Sequence, residues 1–212
     1  MRLLAKFEKR QAASLTSHLD LQRNMQRALR RTGLPIAYSK GFNPHAVLSF
    51  ATALPLGYES VCEIMDIQLS GDADVENAIN ALNAALPTGL TALEARLVGD
   101  SFPTLTACCY AACYTIALSE EMGEESVAAF LASDEVLMDK KSKSGMRKVD
   151  IRPLVHEMRL DGQILHLKVT HTGDSALRPD LLLKALNYQG QARVLRTELL
   201  NAQGGDLFLL AP

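Results

Sequence analysis

The sequence predicts an α+β fold: two tandem ferredoxin-like β-α-β-β-α-β units with antiparallel sheets, residues 1–103 and 104–212. Three observations predict it. Short apolar runs alternate with period two, while others recur at the spacing of a helical stripe. Gly and Pro punctuate the chain between those runs. The order of strand-like and helix-like runs in residues 1–98 then recurs after a Pro-containing stretch at residues 100–104, an internal structural repeat.

In the first half, residues 1–10 read as a strand carrying Leu4 and Phe7 among basic residues. Ser14 or Thr16 is the expected cap of the next helix, with Asp20 in its opening region. Leu21, Met25, Ala28 and Leu29 form its apolar stripe, Arg23, Arg27, Arg30 and Arg31 lie opposite, and Gly33 and Pro35 end it. Residues 46–54 are a strand followed by a Pro-Leu-Gly turn. Residues 61–69 form another, with Val61, Glu63, Met65, Ile67 and Leu69 on one face. Residues 74–86 are a helix built on Val75, Ile79, Leu82 and Leu86, and residues 90–98 close the unit as a strand.

The second half repeats this order. Residues 105–118 are a strand region and 124–131 a helix, followed by an irregular basic stretch at 139–150. Residues 152–159 and 163–170 form a hairpin around Asp161-Gly162, a strong turn dipeptide. A helix at 178–186 starts near Pro179, and 192–199 is the last strand. Each half carries its long insertion between its first helix and second strand, at 33–45 and 137–151. That matching position predicts that both insertions border one groove.

Composition narrows the class. An apolar content of 48% with interspersed charge describes a soluble, well-cored protein. No apolar run approaches the ~18 residues of a membrane span. The opening MRLLAKFEKRQ is charged within a few residues and has no signal-peptide core, so a cytoplasmic location and no membrane association are expected. Charge is uneven. Residues 1–50 hold nine Lys/Arg against Glu8 and Asp20, residues 51–135 hold fourteen acids against Arg96, and residues 136–212 hold twelve bases and eight acids. Basic ends of this kind suit an anionic ligand.

The four cysteines include the cluster CCYAAC (residues 108–113). Several thiolates converging would suit an iron–sulfur site, yet position 116 is Ile116, which breaks the radical-SAM ligand spacing. On an extended strand Cys109 and Cys113 share a face and Cys108 points away, so core packing is the expectation and neither metal nor cofactor is expected. There is no phosphate-binding P-loop, dinucleotide fingerprint or nucleophile elbow, which removes kinase, dehydrogenase and serine hydrolase readings.

Two constellations remain. The stretch DKKSKSGMRKVDIR places Lys140, Lys141, Lys143, Arg147, Lys148 and Arg152 around Gly145, a set suited to phosphate oxyanions. In the first insertion Tyr38 and Phe42 flank Ser39, Lys40 and Gly41, the makings of a base-stacking platform, with both rings plugging the core as the alternative. His18, Asp20 and His45 are a chemically plausible ligand or acid–base set, with loop-fixing hydrogen bonds as the plainer role.

SHLDLQR, ALRRTGLPIAYSKGFNPHAVLSFATALPLGYES and KVDIRPLV closely resemble the radical-SAM-linked domain family of unknown function, across the whole chain. One departure is Ala46 after His45, where the family has Pro. In that family the domain stands alone or is fused to a B12-binding radical SAM protein. Its genes lie near those for ribosomal proteins and an RNase of the E/G type. The resemblance implies an accessory role in an RNA- or ribosome-linked radical reaction and supplies no catalytic residues.

The leading expectation is therefore a non-catalytic binding module serving a separate radical SAM protein and holding an RNA-like or phosphate-bearing substrate. Arg23, Arg27, Arg30, Lys40, Lys141, Lys143, Arg147, Lys148 and Arg152 would meet phosphates, and Tyr38, Phe42, Asn43 and His45 would position the ligand. Two alternatives stand beside it. One is a metal-independent endoribonuclease on the same scaffold, with His18 or His45 as general base. The other is a protein-only adaptor docking through the acidic middle of the chain.

Overall fold

The computed structural model describes residues 1–142 and 145–210. The chain begins with β1 (Arg2–Lys9), a 3-10 turn at Gln11–Leu15, and α1 (His18–Arg31). β2 (Leu48–Phe50), β3 (Glu59–Gln68), α2 (Val75–Ala85) and β4 (Leu90–Val98) complete the first half. The second half has α3 (Leu105–Cys108), β5 (Ala111–Leu118), α4 (Glu124–Ala132), β6 (Leu137–Ser142) and β7 (Gly145–Asp150). It continues through β8 (Val155–Asp161), β9 (Ile164–Thr170), α5 (Pro179–Ala185) and β10 (Ala192–Leu200).

The architecture is mixed α+β with a mostly antiparallel sheet. Within the first half the strands run β4-β1-β3-β2, and within the second β10-β5-β9-β8, the same order relative to the chain. The sheets are not separate, which corrects the expectation of two. β10 pairs parallel to β3 through Leu195↔Glu59 and Arg196↔Ser60, so eight strands make one sheet. β3 is long enough to allow it. Its far end pairs with β2 at residues 65–67, leaving residues 59–60 for β10.

Alternation along the strands sets the layers. Leu3, Ala5 and Phe7 of β1 and Met65 and Ile67 of β3 pack with Leu21, Met25 and Leu29 of α1 and with Ala78 and Leu82 of α2. Leu4, Cys62 and Ile64 alternate with them and so face the other way. They belong to the cluster that Val127 and Phe130 of α4 and Leu182 and Leu183 of α5 complete. The helices of the two halves therefore cover opposite faces of one sheet. Each fully buried Leu, Ile or Phe in these clusters contributes about 1.5–3 kcal/mol by leaving water.

Local structure departs from expectation in several places: the strand expected at 46–54 is only Leu48–Phe50, and Arg152–Leu154 is a 3-10 turn rather than strand. The cap of α1 is Ser17, whose Oγ accepts from Asp20 N at 3.2 Å, because the 3-10 turn occupies the residues before it. Residues 105–108 are helical, and the chain bends at Cys109 before β5 begins. Cys109 then joins the buried core while Cys113 lies half-buried beside Glu157 and Lys168, so the two do not share a face. Finally, the stretch expected to be irregular at 139–150 contributes to two paired strands, Leu137–Ser142 and Gly145–Asp150.

The halves are locked together by charge as well as by apolar area. Arg196, fully buried, gives Nε (2.9 Å) and Nη2 (2.5 Å) to Glu63 Oε1 across the junction. Burial pulls the guanidinium toward neutrality, but Glu63 and Tyr114 outweigh it and raise its pKa. Lys9, also buried, donates to the Ser14 and Thr16 carbonyls, and burial lowers its pKa.

Candidate functional site

α1 presents its charges outward because its apolar residues recur on one side. Leu21, Met25, Ala28 and Leu29 are buried, whereas Arg23, Arg27 and Arg30 are exposed. Arg31 is spent elsewhere. Its Nη2 donates to the Ala85 carbonyl at 2.5 Å, one of the carbonyls left orphaned at the end of α2.

The loop after α1 folds back onto the helix. Gly33 turns the chain at φ +70°, a conformation that costs glycine little. Ala37 N donates to Gln68 O and Val47 N to Ala37 O (both 2.9 Å), so the loop runs along the edge of β3. Tyr38 bridges to Ala46, and Ser39 N donates to His45 O at 2.9 Å, closing the tip. Arg30 Nη2 then reaches Pro44 O at 3.3 Å and holds the tip against the helix.

The result is an open groove of about 570 Å³ lined by Leu19, Gln22, Arg23, Gln26, Arg30, Asn43, Pro44 and His45. The structure thus brings together four of the residues singled out from sequence: Arg23, Arg30, Asn43 and His45. Arg27 is exposed on the same helix but does not line the groove. Lys40 is exposed, Tyr38 half-exposed, and Phe42 fully exposed at the loop tip. Neither ring plugs the core, and Phe42 projects its whole apolar face into solvent.

His45 serves the loop. Its Nδ1 lies 3.2 Å from both Ser39 Oγ and the Asn43 carbonyl, and its N–H donates to Ser39 Oγ. His18 does not line the groove; its ring packs edge-on against Phe50 at 5.4 Å. Asp20 bonds Ser17 Oγ and pairs with Arg23 at 2.9 Å. These hydrogen bonds, the Ser17 one first, hold its carboxyl below the usual carboxylate range.

The second insertion is elsewhere. Arg147 and Lys148 are exposed on β7. Lys141 lies on β6, and Lys143 falls outside the described residues. Arg152 is committed to structure: its guanidinium donates to Leu131 O (3.0 Å) and Val155 O (3.2 Å) and lies over the Phe130 ring. No hydrogen bond or ion pair among the described residues links the two insertions, and none of the described cavities is lined by both. They sit beside helices on opposite faces of the sheet.

Sequence reasoning passed over Leu19, Gln22 and Gln26. The signal was present, since residues 19, 22, 23, 26 and 30 fall on one side of a 3.6-residue helix. It also passed over the buried Glu63–Arg196 pair. A carboxylate amid Val61, Met65 and Ile67 was the visible half of that pair, but the partner is 133 residues away.

A family described as uncharacterized proteins conserved in bacteria, DUF2344, matches residues 2–179. The chain belongs to that family. The match takes in α1, the groove loop and the β6–β7 hairpin. No curated protein matches the sequence. Among solved structures the chain is similar to the crystal structure of the archaeal box H/ACA sRNP Nop10-Cbf5 complex, at 11% identity and a TM-score of 0.43. That similarity covers 93% of this chain and 47% of the other, so the chain spans about half its length. No helix among the described residues is long and apolar enough to cross a membrane.

Proposed function

We propose that this chain is a non-catalytic module that holds single-stranded RNA in the groove between α1 and the 38–45 loop. One observation carries the reading: Phe42 is fully exposed beside a groove lined by Arg23 and Arg30. A charged track that follows phosphates, with an aromatic face on which a base stacks, is the recurring solution for single strands. Lys40 and Arg27 extend the cationic border, and Tyr38 offers a second ring on the same loop. We read each half, 1–103 and 104–212, as a ferredoxin-like unit, supported by the repeated strand order. The sequence resemblance supports an accessory role for a cytoplasmic radical SAM protein, with the groove presenting the RNA. The nuclease alternative keeps only His45, which lines the groove but has its Nδ1 against Ser39 Oγ and the Asn43 carbonyl; His18 lies outside it, against Phe50.

A protein-only adaptor keeps one observation of its own. Leu15, Leu19 and Leu56 are exposed, and Gly57 N donates to Ser14 O at 2.9 Å, which joins the backbone segments that carry Leu56 and Leu15. Salt separates the readings. Binding of a short oligouridine, followed by anisotropy from about 50 to 200 mM salt, weakens steeply if phosphates are held. Arg23→Ala with Arg27→Ala flattens the slope by roughly 1.4, at ~0.7 per single-strand phosphate contact. Wild-type protein that binds no single strand, or binds it with no salt dependence, overturns the proposal and leaves the adaptor.

A further inference from the structure

β6 and β7 form a two-stranded sheet of their own, paired from Leu137↔Asp150 to Ser142↔Gly145 and joined to no strand of the main sheet. Its base is fixed. Asp150 Oδ1 accepts from Val136 N (2.9 Å) and Arg152 N (3.0 Å), and Ile151, fully buried, donates its N–H to Val136 O. Beyond that base, Gly145, Met146, Arg147 and Lys148 are all exposed. The hairpin is thus a ribbon about 20 Å long, at ~3.3 Å per residue, standing on a rigid foot.

Its chemistry differs from that of the groove loop. Arg147 and Lys148 are consecutive on a strand, so they point to opposite faces of the ribbon. Neither side chain makes a hydrogen bond or ion pair among the described residues. In register Arg147 stands opposite residue 140 and Lys148 opposite Asp139, so the Lys148 face also carries an acid. Residues 137–150 include no aromatic residue, so nothing there stacks an unpaired base. A ribbon with an exposed cation on each face, Arg147 on one and Lys148 on the other, and no rings suits phosphates lying on both sides of it, with the bases stacked away. That is the groove of a double helix.

We propose that the β6–β7 ribbon docks in the wide, shallow minor groove of a double-helical RNA stem, with Arg147 and Lys148 meeting phosphates of opposite strands. The choice of RNA rests on the function proposed above; the choice of a duplex rests on the ribbon. The ligand is then an RNA with a stem on the ribbon and an unpaired segment in the groove.

The test titrates the full chain with a blunt RNA duplex, a DNA duplex of the same sequence and a short oligouridine. Wild type, Arg147→Ala/Lys148→Ala and Phe42→Ala are compared. The charge variant weakens RNA-duplex binding roughly tenfold and lowers its salt slope by about 2, one per phosphate contact, while oligouridine binding stays within about twofold. Phe42→Ala weakens oligouridine binding with its salt slope unchanged and leaves RNA-duplex binding within about twofold. The ribbon proposal is overturned if the folded charge variant binds the RNA duplex as wild type does, or weakens both RNA probes equally. It is also overturned if DNA duplex binds as tightly as RNA duplex. Wild type that takes the duplex but not oligouridine sinks the groove reading alone; the opposite sinks the ribbon alone.

Discussion

The two insertions occupy the same slot in the two halves, between the first helix and the second strand, yet they make opposite kinds of surface. Residues 33–45 close back on α1 and the edge of β3, held by Arg30–Pro44, Ala37–Gln68 and Ser39–His45 contacts, and leave a concave groove. Among the described residues, strands 137–142 and 145–150 pair only with each other, anchored at their base by Met138 and Val149 against the core. Composition explains the difference. The first carries Pro35 and Pro44, which withhold backbone donors, and lacks alternation. The second has no Pro between 137 and 150, and Gly145 at φ +119° opens its returning strand. A repeated topology fixes where a chain may be interrupted, and local sequence decides what the interruption becomes.

The comparison also shows why one shared groove does not form. It would need the helices of both halves on the same side, whereas α1 and α4 cover opposite faces of the joined sheet. What sets that arrangement is the β3–β10 seam, and the largest expected effect is there. Glu63→Ala leaves Arg196 buried without its carboxylate and lowers unfolding free energy by about 3–5 kcal/mol, measured by denaturant titration. A loss below about 1 kcal/mol would mean that apolar packing alone fixes the halves.

A somewhat smaller effect comes from pH. His171 bridges to Ala176 at the end of β9, and burial, with Arg196 adding to it, depresses its pKa from 6.5 to about 4. Its folded pKa is below the unfolded value, so protons bind the unfolded chain better. The stability it protects is complete above pH ~6.5 and is lost as pH falls toward ~4, by at most about 3 kcal/mol. The difference between wild type and His171→Asn across that window isolates it from the carboxylates. Parallel curves would contradict the assignment. Cys62, pushed up by burial to about 12, stays a thiol throughout.

Much of the fold was legible. Strand and helix identity followed from period, and Asp74, expected to open α2, caps it by accepting from Asn77 N. What was not legible depends on distant contacts. Nothing near Leu195 or Glu59 announces a parallel pairing across more than a hundred residues. The 105–118 region looks like one strand in the sequence, and the helical turn at 105–108 does not show, since Leu105, Cys109 and Tyr114 are buried in the structure whether the backbone around them is helical or extended. At the site, the arginines of α1 were visible from the stripe opposite them. The exposure of Phe42 was not, since an aromatic in a loop is as easily a core plug as a platform.

The account stands most directly on that ring. Base stacking on an exposed aromatic contributes about 1–3 kcal/mol per base. The measurement is oligouridine affinity across salt for wild type and Phe42→Ala, with thermal melting to show that both are folded. The account predicts roughly 5- to 150-fold weaker binding at every salt concentration with an unchanged salt slope, because the ring carries no charge. Unchanged affinity in a folded Phe42→Ala protein would contradict it.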